Sequence, residues 1–226
     1  MNTKLVKRWD ESNAKLSIDK QESAYAIAVE LDFPRNAKIL DLGGGTGADM
    51  IYFLQKGHSG TLVDISELAL QRAQDSATKL NLENNLTTEQ IDLIESNLPF
   101  ADNSFDIVYS RLTLHYLLPE RAIDIFREIK RILKENGKAF ITIKSQNDKK
   151  EMEFLRQNSQ EVAPNVFVKN DEVKSIYSPE QVDEMLKKAG VNNFKIDQYT
   201  EDMSGKNDLV ASGNMKLVLT QIKFTK

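Results

Sequence analysis

The chain has 226 residues and a formal net charge of -4, with 40% hydrophobic and 28% charged residues. That is enough chain for one domain with a sizeable core, and the charge lacks the basic footprint of a general nucleic-acid binder. There are no cysteines, which removes disulfides, thiolate metal sites and cysteine nucleophiles, and no apolar run approaches a membrane span.

The predicted elements begin with a helical preamble over residues 1–36, with Tyr25, Ala28, Val29 and Leu31 on one face. Its first residues lack the apolar stretch of a signal peptide, so a cytoplasmic protein is expected. Strands and helices then alternate. Lys38–Asp41 reads as a strand, and Thr46–Lys56 as a helix stopped by Gly57. His58, between Gly57 and Gly60, reads as an exposed turn residue. Gly60–Asp64 is a strand, and Ser66 is placed to cap a helix with Ala69, Ala73, Ala77 and Leu80 on one face. Leu86–Ile91 and Phe105–Tyr109 are the next strands. Pro119 opens a helix striped by Ala122, Ile125, Phe126, Ile129 and Leu133, and Lys138–Ile143 is the fifth strand.

Residues 144–177 are polar and read as an excursion over the sheet, with a helix near Lys149–Asn158. Ser178-Pro179-Glu180-Gln181 is a capping box opening a further helix, which runs through Leu186 to Gly190. Two strands follow with no helix between them, about Asn193–Glu201 and Met215–Phe224. A helix-free link implies a hairpin, so the last strand is expected to run antiparallel. The sum is an α/β, doubly wound, mostly parallel seven-stranded sheet with helices on both faces and a C-terminal antiparallel hairpin.

Four of the ten glycines fall within Asp41-Leu42-Gly43-Gly44-Gly45-Thr46-Gly47, directly after the first strand. Glycine permits positive φ and leaves no Cβ in the way of a ligand, and the following helix aims its first amides at the turn. A nucleotide-like cofactor is expected there. Asp64 ends the second strand, where a carboxylate can accept both hydroxyls of a ribose. Asp92, past the third strand, can take a hydrogen bond from an adenine amino group. Asp41 would repel a pyrophosphate and attract an ammonium. These features favour a nucleoside bearing an amino acid over a dinucleotide.

The ordered set resembles the class I S-adenosylmethionine-dependent methyltransferases, over about residues 37–143 and, through the hairpin, to the end of the chain. Asp41 to Gly47 is similar to the family's first motif, Leu62-Val63-Asp64-Ile65-Ser66 to its second, and Leu98 to Val108 to the segment entering its fourth strand. Gly44 stands where the family usually has a larger residue, and it is read as softening the turn. The resemblance implies a Rossmann-like methyltransferase fold. It implies that Asp64 holds the ribose, Ile65 and Leu93 flank the adenine, and Asp92 meets its amino group. Asp41, Gly43, Gly44 and Gly45 would meet the methionine moiety, with Ser110 and Arg111 near its carboxylate. S-adenosyl-L-homocysteine would be the product.

By the same resemblance His115 is the candidate general base, and Tyr116 and Trp9 wall the pocket. No metal is expected. One domain over 1–226 is expected, with 1–36 as a cap, 37–143 as the cofactor-binding core, 144–177 on the substrate side and 178–226 as the C-terminal helix and hairpin. The expected substrate is a small molecule with an oxygen, nitrogen or carbon nucleophile. Neither nucleic acid nor membrane is expected as a partner, and a monomer or homodimer is. Two alternatives stand beside this reading. Gly43-x-Gly45-x-x-Ala48 with Asp64 also fits an NAD(P)-dependent oxidoreductase, and a binder of S-adenosylmethionine without catalysis would carry the same motifs.

Overall fold

The computed structural model describes residues 3–15, 21–202 and 216–226. Two helices come first, α1 (Thr3–Ala14) and α2 (Ala24–Glu30). The alternating stretch follows as β1 (Lys38–Leu42), α3 (Ala48–Gln55), β2 (Ser59–Asp64), α4 (Glu67–Lys79), β3 (Leu86–Gln90), β4 (Phe105–Arg111), α5 (Pro119–Ile132) and β5 (Leu133–Lys144). Next come α6 (Lys149–Asn158), β6 (Gln160–Ala163), β7 (Val166–Lys169), β8 (Glu172–Ser175), α7 (Pro179–Lys188), β9 (Phe194–Asp202) and β10 (Lys216–Thr225). Met215, the expected start of the last strand, lies outside the described residues.

The main sheet has seven strands in the order β3-β2-β1-β4-β5-β10-β9. The pairs from β3 to β5 are parallel, and β10 runs antiparallel to both β5 and β9. The hairpin expected from the helix-free link is therefore present, with its second strand inserted inside the sheet. Strand order reverses between β1 and β4. In open α/β sheets that reversal leaves a crevice beyond the strands' carboxyl ends.

Period-two alternation divides the core between the two faces. Leu40, Leu42, Val108 and Ile141 pack with Ile125, Phe126 and Ile129 of α5 and Val182 and Leu186 of α7. Ile39, Ile107 and Phe140 pack with Tyr25 of α2, Phe53 of α3 and Ala73 of α4. Each strand thus feeds one layer on each side, which is why its apolar run is nearly continuous. Local signals set the helix ends. The Ser66 hydroxyl accepts from Ala69 N at 3.1 Å, and the Ser178–Gln181 capping box is formed in both directions.

Several expectations about these elements fail. Leu80, expected on the inner face of α4, is 43% exposed, and Leu133, expected on the α5 stripe, is the first residue of β5. Ala28 is exposed and Leu31 is 83% exposed, because Ala26 joins Tyr25 and Val29 on the inner face of α2 instead. His58 is buried. Its Nδ1 accepts from Ala37 N at 3.0 Å and its Nε2 faces Glu30 Oε1 at 3.2 Å, so it ties α2 to the start of β1 and β2. Residues 144–177 hold α6 as expected but also a second, three-stranded antiparallel sheet in the order β6-β7-β8. Among the described residues, no helix is long and apolar enough to cross a membrane.

Candidate functional site

A cavity of about 210 Å³ opens at the crevice beyond β1 and β4. Its walls include Asp41, Gly43, Gly44, Gly45, Asp64, Ile65, Asp92, Leu93 and Arg111, so the chain gathers these expected site residues in one place. His115, Tyr116 and Trp9 line the same cavity. Ser110 does not: it is buried behind the wall, with its hydroxyl donated to Leu42 O at 2.9 Å.

The glycine turn has a steric reason at each point. Gly43 has φ +72°, and a Cβ there would lie 2.2 Å from Thr113 Cγ2. At Gly44 an added Cβ would lie 2.5 Å from Asp41 Oδ2, so this glycine makes room for the carboxylate rather than merely softening the turn. Gly45 has φ +55° and its nearest neighbour to a Cβ is Asn13 Oδ1 at 3.9 Å, which leaves that face of the turn open. Asp64 Oδ2 accepts from Gly45 N at 2.8 Å, and its Oδ1 accepts from Ser66 N at 2.9 Å. Burial pushes the Asp64 carboxyl up, and those amides pull it back down.

Past β3, Asp92 is 1% exposed. Its Oδ1 accepts from Ile94 N at 2.9 Å, while its Oδ2 is buried without a hydrogen-bond partner. A buried carboxylate oxygen left unmatched is destabilising unless a ligand donates to it. Arg121 of α5 holds this loop from outside, donating to Leu93 O at 2.6 Å and also to Ser96 O. Neither Arg121 nor Asp49 stood out in the sequence. Asp49, in the first turn of α3, accepts from Tyr109 Oη at 2.7 Å and from Ser23 N at 2.6 Å. Arg111 is ion-paired with Glu201 of β9, and both carboxylates hold its charge well above the ordinary arginine value against burial.

The segment after β4 reaches over the cavity. Leu112 adopts φ +56°, a conformation that a bulky residue rarely takes. The bend lets Thr113 donate to Gly43 O at 3.1 Å and sets Leu114–Tyr116 as a single 3-10 turn. His115 is 1% exposed, and neither ring nitrogen has a hydrogen-bond partner. Burial, then the charges of Lys144 and Lys174, hold it well below the ordinary histidine value, so it is neutral at physiological pH. Burial pushes the Tyr116 hydroxyl up to about 12, so it stays protonated at neutral pH. Trp9 of α1 meets the Tyr116 ring edge-on, with centroids 5.0 Å apart. Asp10 accepts from Ser66 Oγ at 2.6 Å and docks α1 beside the cavity.

A family model described as a methyltransferase domain matches residues 39–137, the segment that carries the glycine turn, Asp64, Asp92 and His115. Residues 39–137 are similar to the class I S-adenosylmethionine-dependent methyltransferases, and the chain has their Rossmann-like fold. Among curated relatives, the 27-O-demethylrifamycin SV methyltransferase of Amycolatopsis mediterranei (strain S699) is 30% identical over 131 residues, which is 58% of this chain and 47% of that one. The chain spans about half the length of the curated relatives it matches. Among solved structures, an S-adenosylmethionine-dependent methyltransferase from Methanosarcina mazei aligns with TM-score 0.69 at 20% identity, over 88% of this chain and 96% of that one. The 1,6-didemethyltoxoflavin-N1-methyltransferase of Burkholderia thailandensis, solved with 1,6-didemethyltoxoflavin and S-adenosylhomocysteine, aligns with TM-score 0.64 at 16% identity, over 97% and 85%. At such identities these two likenesses establish the fold.

S-adenosylmethionine is the cofactor of this methyltransferase family. The residues here fit it. The open face at Gly45 leaves room on the cavity wall, and the unmatched Asp92 Oδ2 is an acceptor there. The carboxylate of Asp41, on the cavity wall, suits a group that carries positive charge, while the charge of Asp49 is shared with Arg111.

Proposed function

We propose that this methyltransferase moves a methyl group from S-adenosylmethionine to a small-molecule nucleophile within one domain. When bound, S-adenosylmethionine supplies an electrophilic methyl carbon on a sulfonium, whose carbon–sulfur bond breaks with its electron pair left on sulfur. The observation that carries the proposal is the continuity of the cavity. The same space is lined by the glycine turn and by His115, with its two unmatched ring nitrogens.

In this reading Asp64 accepts from the ribose hydroxyls, and Ile65 and Leu93 sandwich the adenine. Asp92 Oδ2 takes a hydrogen bond from the adenine amino group. Gly43 and Gly45 let the methionine moiety approach the backbone, and Asp41 faces its ammonium. Arg111 stands between Asp49 and Glu201 and limits the negative charge at that end. Trp9 and Tyr116 close the cavity against water, which favours transfer over hydrolysis and strengthens every charge inside. An in-line displacement asks mainly for alignment of the two reacting atoms. His115, neutral at working pH, takes a proton from an acceptor that still carries one.

Calorimetric titration with S-adenosylmethionine, S-adenosylhomocysteine and NADH, side by side, tests the cofactor. Micromolar binding of the two sulfur nucleosides and no heat with NADH is expected. Binding of NADH alone would overturn the assignment of Asp41 and Asp92 and restore the oxidoreductase alternative. Asp64→Ala is expected to abolish binding of the sulfur nucleosides.

A further inference from the structure

The cavity lining carries charged groups of both signs. The carboxylates of Asp41, Asp49, Asp64 and Asp92 line it. His115, Tyr116 and Lys144 line it as well, and they define its acceptor end in the proposed reading. Lys144 is the last residue of β5 and is 6% exposed, so its ammonium is held almost wholly out of water. A lysine ammonium is compact and strongly hydrated, and burying it is expensive without a partner. Glu151 of α6, 1% exposed, is its salt-bridge partner. Among the described residues it is the one hydrogen-bonded partner of Lys144 Nζ, whereas an ammonium carries three donors.

Further charged groups surround Lys144, and Glu151 and Asp148 both act on its charge. Lys174 of β8 adds a second positive charge, and Arg8 of α1 a third, which Glu172 of β8 meets. Glu151 is the carboxylate beside Lys144. Asp148 caps α6 through Glu151 N and also accepts from Val218 N. Lys174, Arg8 and Lys169 line a second cavity of about 220 Å³, with Glu172 among them, so the positive field extends beyond Lys144.

We infer that the acceptor end of the cavity is an acid-binding site, in which Lys144 holds a carboxylate or phenolate oxygen of the methyl acceptor beside His115. The inference deepens the proposed methyl transfer and rests on it. An amine that arrives as an ammonium would face Lys144 in a poorly screened cavity, with the charge of Lys174 behind it. A neutral amide would leave the ammonium donors of Lys144 that Glu151 does not take without a charged match. An ionised oxygen satisfies them with charge-assisted hydrogen bonds, about twice as strong as neutral ones. It also offsets the two lysine charges that weaken His115 as a base. An acceptor that arrives with its acid proton gives that proton to a ring nitrogen of His115, and its oxygen is left anionic against Lys144.

The test uses the full chain and three probes of one shape, benzoate, benzamide and benzylamine, each titrated by ligand-observed NMR with and without saturating S-adenosylhomocysteine. Benzoate is expected to bind at least about tenfold tighter than the other two. The preference is expected to vanish in Lys144→Met, and in Lys144→Met/Glu151→Gln, which removes both buried charges together and so keeps the fold if the single change does not. Equal affinities in the wild type, no detectable benzoate binding, or a preference that survives in the double variant would overturn the inference. Absence of S-adenosylhomocysteine binding would sink the cofactor reading instead, and the benzoate arm without it still reports on Lys144.

Discussion

Gly44 and Asp41 share one space: a Cβ on the glycine would sit 2.5 Å from the aspartate Oδ2. The backbone of the turn and the carboxylate near the end of β1 are therefore fitted to each other before any ligand arrives. Gly44→Ala is expected to push the carboxylate aside and weaken S-adenosylhomocysteine binding by roughly tenfold, about 1.4 kcal/mol. Calorimetry reads the affinity, and circular dichroism checks that the fold is kept. Unchanged affinity would remove Asp41 from the site.

Asp92 offers a change with opposite signs in two measurements. Its buried Oδ2 has no partner in the free protein, so the charge there is a burden on stability. Asp92→Asn is expected to leave the melting temperature unchanged or raised, while adenosine-containing ligands bind about tenfold more weakly. A loss of stability together with unchanged affinity would mean that the residue only caps its loop through Ile94 N.

Trp9 is the single tryptophan of the chain and lines the cavity beside Tyr116. Titration with S-adenosylhomocysteine is therefore expected to change its emission, with a midpoint matching the calorimetric affinity. Trp9→Phe keeps an aromatic cover and should bind without the optical signal. An emission that stays flat while heat is released would place the indole away from the ligand.

His115 gives a pH prediction whose sign follows from its burial. In the unfolded chain a histidine titrates near about 6.5, whereas the folded protein holds His115 well below that. Below about pH 6.5 the unfolded chain takes up a proton that the folded chain refuses, so stability falls as the pH drops through that range and is full above it. In His115→Phe that part of the decline should disappear in denaturation curves taken between pH 7 and pH 5. The same variant should bind S-adenosylhomocysteine normally and turn over more slowly.

Arg111 and Glu201 form a buried pair that links β4 to β9, with side chains 12% and 3% exposed. Removing one charge of such a pair leaves the other uncompensated, which costs about 3 kcal/mol or more. Glu201→Gln should sit at the lower end of that range, because Asp49 also acts on Arg111. Urea denaturation measures the loss.

The alternating stretch was legible because its signals are local. Period-two runs, the Ser66 and Ser178 caps and the glycine cluster each act over a few residues. Hence the carboxyl ends of β1, β2 and β3, with Asp41 one residue before the first, Asp64 at the second and Asp92 two residues past the third, could be read to within two residues. What escaped depends on partners far away in the chain. His58 looks like a turn residue until Glu30 and Phe33, from the far side of Pro34, close over it. Lys144 looks like the polar end of a strand until α6 brings Glu151 against it. The strands β6 to β8 have few buried side chains, and positive-φ residues at Asn165, Asn170 and Asp171 turn them, so polarity alone suggests loop. Ser110 has the right place in the chain but the wrong face of the pleat.

The insertion of β10 between β5 and β9 has a consequence for how the chain is made. Synthesis order and sheet order disagree at this edge: β9 is complete before the strand that must join it to β5 exists. A ribosome adds about 5–20 residues per second, whereas a hairpin closes in about 1–10 μs. For an interval set by translation, the outer edge of β5 is an unpaired strand with Ala139, Ile141 and Ile143 in its run. Such an edge is a template for another chain. The nascent protein is thus most open to mispairing after its ligand-facing half has been made, and its last strand both finishes the sheet and closes that window.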